Sequence, residues 1–247
     1  MPETTVIIRT KDEERWLGAV LEKLFQQTYK DFEIIIVDSG STDRTLDTAK
    51  RFSLRVLPIP RHDFSYPRAL NHGIARSAVS QFIVVLSAHS LPISETWLAS
   101  GLEHLKGNFR VAGVYGFVRA LPDATLADRI FQNIPFSIRR LWYGDAPQSI
   151  VRTGLGVLGF TNAIIRKDLW QQRPFNEEYG AGGEDGEWAG YWLSKGYTIM
   201  RDPRFTVMHS HYLGLWGWYR QLKYWKSSAR PHPFAPLRFR RDRTHES

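Results

Sequence analysis

Apolar segments of strand length recur through the first half of the chain, with helix-like segments between them. Runs of β-branched and aromatic residues predict buried strands at 6–9, 32–37, 55–59 and 82–86. The intervening segments carry apolar residues three and four positions apart or begin with a capping residue, which is typical of helices. We predict helices at 16–25, from 41–43 onward, at 67–78 and at 94–106. Alternating strands and helices favour a parallel sheet with right-handed crossovers.

This alternation ends after a further strand predicted at 111–118. No element is predicted over 121–158, where arginine, aromatic residues and glycine are mixed. Beyond it, the pattern predicts a strand at 160–166, a helix at 185–195, an extended segment at 197–208 and an amphipathic aromatic helix at 214–228. We therefore expect an α/β fold, a Rossmann-like and mostly parallel sheet flanked by helices, with the aromatic helix and a basic tail at its C-terminal side.

The composition narrows the class of protein. The chain has no cysteine, which excludes disulfides and thiolate metal sites and is typical of a reducing compartment. The residues before the first strand show no basic and apolar leader pattern, and no run reaches the roughly 18 apolar residues that span a bilayer. We therefore expect a cytoplasmic protein, either soluble or peripheral on the inner face of the cytoplasmic membrane.

The net charge of +8 is concentrated near the C-terminus. Residues 212–247 carry eight lysines and arginines against two acids, so the rest of the chain is nearly neutral. A nucleic-acid-binding protein more often carries positive charge across a folded face, so nucleic acid is not expected as a partner. A basic tail beside an aromatic helix suits an anionic membrane surface, whereas the commoner fate of an aromatic stripe is to pack inside the protein. Both interpretations of the aromatic helix stay open.

Two acidic motifs carry most of the chemical information. The first, 37–43, places Asp38 directly after a buried strand, at the edge where parallel sheets bind nucleotides. The second, 183–188, places Glu184 and Asp185 in a glycine-rich turn before a helix, where a carboxylate is held yet accessible to a substrate. Taken alone, Asp38 could equally cap a turn, and Asp185 could be a first-turn charge that interacts with the helix dipole.

Several short motifs resemble, in their order and spacing, the family 2 glycosyltransferases, which have the GT-A fold. The matching segments run from about residue 6 to residue 211 and are Ile7-Ile8-Arg9-Thr10-Lys11-Asp12-Glu13-Glu14, Val37-Asp38-Ser39-Gly40-Ser41-Thr42-Asp43, Phe160-Thr161-Asn162-Ala163, Pro174-Phe175-Asn176-Glu177, Gly183-Glu184-Asp185 and Gly196-Tyr197. Each motif is weak alone, and their order together is specific. Segments 64–71 and 184–188 look most like bacterial rhamnosyltransferase-type members.

The resemblance implies an inverting enzyme that moves a sugar from a UDP- or dTDP-linked donor to a hydroxyl of a surface polysaccharide or a lipid-linked glycan precursor. It places Asp185 as the catalytic base, with Glu184 as an acceptor-orienting neighbour. The donor nucleotide would contact Thr10, Asp12, Asp38, Arg68, Asn71 and Ala88, with Asp38 recognising the base. One domain is then expected over 1–229, with a nucleotide-sugar-binding half to about residue 120, an acceptor-binding half after it, and a flexible basic tail at 230–247.

One motif departs from the family. Members usually carry Asp-X-Asp after the fourth strand, and its last Asp binds a divalent metal at the diphosphate, whereas this chain has Ser87-Ala88-His89. His209 and His211 lie where some GT-A enzymes supply a histidine ligand, and alternate residues of an extended segment share a face. We expect His89, His209 and His211 as metal ligands, and imidazole favours Mn²⁺ over Mg²⁺. The alternative is that His89 binds the diphosphate directly.

Two other functions remain open. A catalytically silent glycosyltransferase-like protein that binds nucleotides or glycans would account for the missing Asp-X-Asp. A sugar nucleotidylyltransferase shares the nucleotide-binding architecture, but the chain has no glycine-rich Gly-X-Gly-X-Arg signature at its first strand.

Overall fold

The computed structural model describes residues 1–228 with the exception of 78, 153, 155 and 181, so the predicted basic tail lies outside the described residues. The strands are β1 (Thr4–Thr10), β2 (Phe32–Asp38), β3 (Arg55–Pro58), β4 (Phe82–Ser87), β5 (Leu91–Pro92), β6 (Val111–Tyr115), β7 (Val118–Arg119), β8 (Gln148–Ile150), β9 (Asn162–Arg166), β10 (Thr198–Arg201) and β11 (Val207–Met208). The helices are α1 (Leu17–Phe25), α2 (Thr45–Lys50), α3 (Tyr66–Ala75), α4 (Trp97–Gly107), α5 (Leu126–Tyr143), α6 (Lys167–Gln172), α7 (Glu184–Ser194) and α8 (Leu215–Ser228).

Eight of the described strands form the main sheet, in the order β3-β2-β1-β4-β9-β6-β10-β8. β1 pairs in parallel with β2 and β4, β2 with β3, and β6 with β10. β9 lies antiparallel between β4 and β6, and β8 lies antiparallel to β10 at one edge. The predicted α/β class with a mostly parallel sheet is confirmed, and the reversed strand β9 is what the alternation in the sequence did not show.

Both faces of the central strands are buried because helices cover each side. Ile8 and Ile36 belong to a core with α1 and α4, whereas their neighbours Ile7 and Ile35 belong to a second core with α3 and α7. This division follows from the strand geometry, in which successive side chains point to opposite faces. Because β1 runs parallel to β2 and to β4, the carboxyl ends of these three strands lie at the same edge of the sheet.

Two helices begin later than the sequence predicts. α2 begins at Thr45 and not at 41–43, because Asp43 accepts hydrogen bonds from both the backbone N–H and the hydroxyl of Thr45. α4 begins at Trp97 and not at Ser94, and the side chain of Ser94 does not cap it. The Ser94 carbonyl instead accepts a hydrogen bond from the side-chain amide of Gln27.

Residues 121–158, for which the sequence predicted no element, contain α5, the longest helix of the described residues. Its start is fixed by a reciprocal capping box. The Thr125 hydroxyl accepts from the Asp128 N–H at 3.0 Å, and the Asp128 carboxylate accepts from the Thr125 N–H at 3.3 Å. This Thr-X-X-Asp pattern is readable in the sequence, although Glu or Gln is the usual last residue of such a box.

The predicted aromatic helix is confirmed as α8, and it packs on α5. Trp218 stacks on Phe131 with ring centroids 5.2 Å apart and donates its indole N–H to Asp128 at 2.8 Å. The Thr125 hydroxyl donates to the Leu213 carbonyl at 2.7 Å and so joins the beginnings of the two helices. None of the described helices has the length and apolar character needed to cross a membrane.

Candidate active site

Asp38 lies at the carboxyl end of β2, where its carboxylate organises the following turn. Oδ1 accepts hydrogen bonds from the Thr10 and Ser41 hydroxyls, and Oδ2 accepts from the N–H groups of Gly40 and Ser41. The residue is 4% exposed. Both oxygens therefore already accept two hydrogen bonds each from the protein, and recognition of a nucleotide base by Asp38 stays a prediction.

Asp12 supports the same loop from the end of β1. Its backbone adopts the left-handed region with φ of 53°, and its Oδ1 accepts from the Thr42 N–H at 2.8 Å. That hydrogen bond lowers the pKa of the Asp12 carboxyl. The Asp12 N–H in turn donates to the Ser41 hydroxyl at 3.0 Å. Asp12 is exposed, in contrast to Asp38.

Asn71, on α3, is buried and fully hydrogen-bonded within the protein. Its amide nitrogen donates to the Phe175 carbonyl and to Glu177, and its amide oxygen accepts from the Trp170 indole and the Phe175 N–H. These four bonds use the whole hydrogen-bonding capacity of the side chain. The structure thus gives Asn71 a role in joining α3 to the segment before α7, and its contact with a nucleotide stays a prediction.

Arg68 lies one turn before Asn71 on α3 and is near two carboxylates. Its guanidinium is 3.7 Å from Glu177 and 3.8 Å from Asp63. Ala88, directly after β4, is buried. Contacts of Arg68 and Ala88 with a nucleotide likewise stay predictions.

The second acidic motif follows a turn that requires glycine. Gly182 and Gly183 have φ angles of 127° and 105°, a region that residues with a side chain rarely adopt. Glu184 and Asp185 then occupy the first turn of α7, where the helix dipole favours negative charge. Asp185 Oδ1 accepts from the Gly186 N–H at 2.7 Å. The turn and the helix together hold the two carboxylates side by side.

Arg9, near the end of β1, faces these carboxylates. Its Nη1 lies 3.8 Å from Glu184 Oε1, and its guanidinium carbon lies 4.5 Å from the centre of the Tyr66 ring. Tyr66 begins α3, and its N–H donates to the Gly180 carbonyl, which ties α3 to the turn before α7. Arg9 Nη1 and Glu184 Oε2 are buried without a hydrogen-bond partner. Such atoms are uncommon in folded proteins and often mark a functional site.

Burial controls the proton affinity of the two carboxyls. Burial, together with the neighbouring Asp185 charge, raises the pKa of Glu184 to about 7. Burial also raises the pKa of Asp185, although the N–H groups of Gly186 and Phe160 and the charge of Arg9 oppose the rise. The pKa of Arg9 is lowered by burial, and its acidic neighbours oppose that fall. A carboxyl pair that exchanges a proton near neutral pH is suited to acid-base chemistry.

The three histidines predicted as metal ligands lie close together. The rings of His89 and His209 stack with centroids 4.3 Å apart, and His211 meets His209 edge-on at 4.8 Å. His89 Nδ1 is 2.8 Å from Glu13 Oε1, and His209 Nδ1 is 3.2 Å from the Ser90 hydroxyl. The fold therefore brings the end of β4 and the segment after β11 to one place.

These side chains provide only part of a metal site. His209 Nε2 is buried without a partner, and burial lowers the pKa of His209 well below its usual value, so this imidazole stays neutral and able to bind a cation. His211 instead packs against the rings of Trp218 and Trp225. Within the part of the chain that the structure describes, no group of three or more His, Asp or Glu side chains is arranged to hold a metal. Metal binding by His89, His209 and His211 stays a prediction, and a metal there would need further ligands.

Three members of the site were not predicted from the sequence, and they are Arg9, Tyr66 and Glu13. Arg9 carried a readable signal, because it is a charged residue in a strand whose other residues are buried. Tyr66 and Glu13 carried no such signal, since the fold brings them from a helix start and a loop.

Curated proteins are similar in sequence to this chain over most of its length. The profile of Glycosyl transferase family 2 matches residues 5–173, which end before α7. The Dolichyl N-acetyl-alpha-D-glucosaminyl phosphate 3-beta-D-2,3-diacetamido-2,3-dideoxy-beta-D-glucuronosyltransferase of Methanococcus voltae is 28% identical over 84% of this chain and 66% of its own length. The O-antigen chain rhamnosyltransferase WbaN of Salmonella anatum is 26% identical over 85% of this chain and 67% of its own length. The chain thus spans about two thirds of the length of these relatives.

Solved structures share the fold. The mannosyltransferase PcManGT from Pyrobaculum calidifontis, in complex with GDP-Man and Mn²⁺, has a TM-score of 0.62 at 20% identity, covering 84% of this chain and 56% of that one. S. aureus TarS 1-349 has a TM-score of 0.60 at 16% identity, covering 92% and 65%. The expected GT-A architecture is confirmed. Because the family profile matches more than half of its residues, the chain belongs to Glycosyl transferase family 2.

Proposed function

We propose that the chain transfers a sugar, with inversion, from a nucleoside diphosphate sugar to a hydroxyl group, with Asp185 as the general base. Membership of Glycosyl transferase family 2 supports the reaction class. The observation that carries the assignment of the base is the Glu184–Asp185 pair at the start of α7, with Arg9 only 3.8 Å from Glu184.

The two carboxyls have different tasks. Glu184 is buried, and its pKa of about 7 lets it retain a proton near neutral pH and orient the acceptor by hydrogen bonding. Asp185 is less deeply buried and carries the negative charge that accepts the proton of the attacking hydroxyl. The hydroxyl oxygen bonds to the anomeric carbon as the bond to the diphosphate breaks, so that a single displacement inverts the configuration.

The histidine cluster is proposed to serve the leaving diphosphate. His89 and His209 would hold a divalent cation, and imidazole ligands favour Mn²⁺. Bound there, the cation would neutralise the negative charge that develops on the diphosphate. The PcManGT complex with Mn²⁺ supports a cofactor of this class. Oxygen atoms of the donor would supply the ligands that the protein lacks.

The proposal also names a class of donor and a class of acceptor. We assign a UDP- or dTDP-linked sugar to the edge formed by Thr10, Asp12 and Asp38. The curated relatives act, by their names, on an O-antigen chain and on a dolichyl-linked sugar phosphate. They support an acceptor that is a surface polysaccharide or a lipid-linked glycan precursor.

A donor screen tests this function. The chain is incubated with UDP-, dTDP- and GDP-sugars, Mn²⁺ and a lipid-linked glycan acceptor, and free nucleoside diphosphate and the anomeric configuration of the product are measured. We expect diphosphate release that needs the acceptor, an inverted product, and activity that a chelator abolishes and Mn²⁺ restores. Nucleotide binding without turnover would instead identify a silent binding protein, and a retained configuration would contradict the single displacement.

A further inference from the structure

Helix α5 carries a stripe of apolar side chains that are exposed to solvent. The first four residues of the stripe are four positions apart, and the last two follow three and four positions after the fourth, which keeps them on one side of the helix. They are between 39% and 84% exposed, and they are Leu126, Ile130, Ile134, Ile138, Leu141 and Trp142. Isolated exposed apolar residues are ordinary on protein surfaces, whereas a continuous set along five turns marks an interaction surface.

Helix α8 extends this surface beside the beginning of α5. The bond from Thr125 to Leu213 and the contact of Trp218 with Phe131 fix the two helices against each other. While Trp218 is buried in that contact, Leu215, Trp216 and Tyr219 are exposed. The same helix thus buries Trp218 against α5 and leaves four large hydrophobic side chains exposed, the fourth being Tyr224.

The charges of α5 and α8 are almost all positive. The two helices carry six lysine and arginine residues, which are Arg129, Arg139, Arg140, Arg220, Lys223 and Lys226. Their one acid, Asp128, is fully buried and accepts hydrogen bonds from Thr125 and Trp218. Apolar and aromatic side chains bordered by cations are the combination that inserts into the interface of an anionic bilayer.

A second copy of the chain fits this surface poorly. A symmetric dimer would place the same patch on both partners, so the cations of α5 and α8 would face each other without acids of the two helices to pair with. Arg140 already pairs with Asp145 at 2.9 Å, and an anionic lipid surface supplies negative charge for the other cations and accepts the apolar side chains. Aromatic residues such as Trp142 and Trp216 are favoured at the boundary between lipid and water.

We propose that the α5–α8 face docks the protein on an anionic lipid bilayer, with the α5 stripe inserted at the headgroup boundary. The inference goes beyond sugar transfer, because it concerns a surface formed by other residues than the proposed base. It makes the enzyme a peripheral one and fits an acceptor that carries a lipid.

Vesicle sedimentation tests the docking. The chain is mixed with vesicles of phosphatidylcholine alone and of phosphatidylcholine with one third phosphatidylglycerol, and the bound fraction is measured against lipid concentration. We expect binding to the anionic vesicles, and a loss of about tenfold or more in the double variant Ile134→Gln and Ile138→Gln, since two inserted side chains are removed. Arg220→Gln with Lys223→Gln should reduce the preference for anionic over neutral vesicles.

The matched control is Val79→Gln with Phe109→Gln, which changes two exposed apolar residues outside α5 and α8. It should bind as the unchanged chain does. Circular dichroism and thermal melting show whether each variant is folded, and soluble-acceptor turnover should be equal in all of them. Equal vesicle binding by the Ile134/Ile138 variant would overturn the proposal, as would a solution dimer that this variant dissociates.

Discussion

Asp38 and Asp185 are both carboxylates at the end of a regular element, yet the fold treats them in opposite ways. Asp38 accepts four hydrogen bonds, two on each oxygen, from side chains and backbone of the adjoining loop. Asp185 accepts a hydrogen bond from the Gly186 N–H and sits beside Glu184, whose Oε2 is buried without a partner and whose Oε1 is near Arg9. A saturated acid holds a loop in place, whereas a pair of adjacent carboxyls that is not fully hydrogen-bonded is suited to exchange a proton with a substrate.

The strongest test of this comparison is Asp185→Asn. The change keeps the size of the side chain and removes its basicity, so kcat should fall by roughly 10²–10⁴-fold while the donor KM stays the same. Steady-state kinetics with a saturating acceptor measures it. The matched control is Asp168→Asn, since Asp168 also lies in the first turn of a helix, α6, and is exposed. Near-normal turnover in Asp185→Asn would remove this residue from the role of base.

A second test removes the saturated acid. Asp38→Ala leaves the donors of Thr10, Gly40 and Ser41 without their acceptor, so the free energy of unfolding should fall by about 2–3 kcal/mol even without nucleotide. Urea denaturation measures this fall, and calorimetry with UDP or dTDP shows whether base recognition is lost too. Asp12→Ala, which removes a single exposed carboxylate from the same loop, should lower the free energy of unfolding by less, because solvent screens an exposed charge. Unchanged stability of Asp38→Ala would mean that the turn does not depend on this carboxylate.

The smallest expected effect concerns the pH profile. The base works only when deprotonated, so kcat/KM should rise with pH through the raised pKa of Asp185. Arg9 lowers the pKa of both carboxyls by its charge, so Arg9→Met should move this rise to higher pH. Lys11→Met, which changes a cation beside Asp12, is the control and should not move it. Loss of activity at every pH, with no shifted rise, would indicate a purely structural role for Arg9.

The accuracy of the sequence prediction differed along the chain for physical reasons. Strands β1, β2 and β4 were predicted to within one or two residues, because a strand buried on both faces leaves a continuous apolar run. α5 was not predicted, because an exposed apolar stripe interrupted by polar residues and Pro135 obscures the usual pattern of a half-buried helix. The role of His211 as a metal ligand stays a prediction, and the alternation of His209 and His211 did not show that the His211 ring lies against Trp218 and Trp225.

The sequence by itself determined the layered α/β fold, the family and the two acidic motifs, because strand runs, helical periodicity and glycine turns are encoded by neighbouring residues. Only the tertiary structure decided what each motif does. It placed Arg9 between Glu184 and the Tyr66 ring, which come from distant parts of the chain. It saturated Asp38 and Asn71 with hydrogen bonds, and it left the α5 stripe exposed. Burial and pairing set the proton affinity of a side chain, and both depend on contacts between residues far apart in sequence.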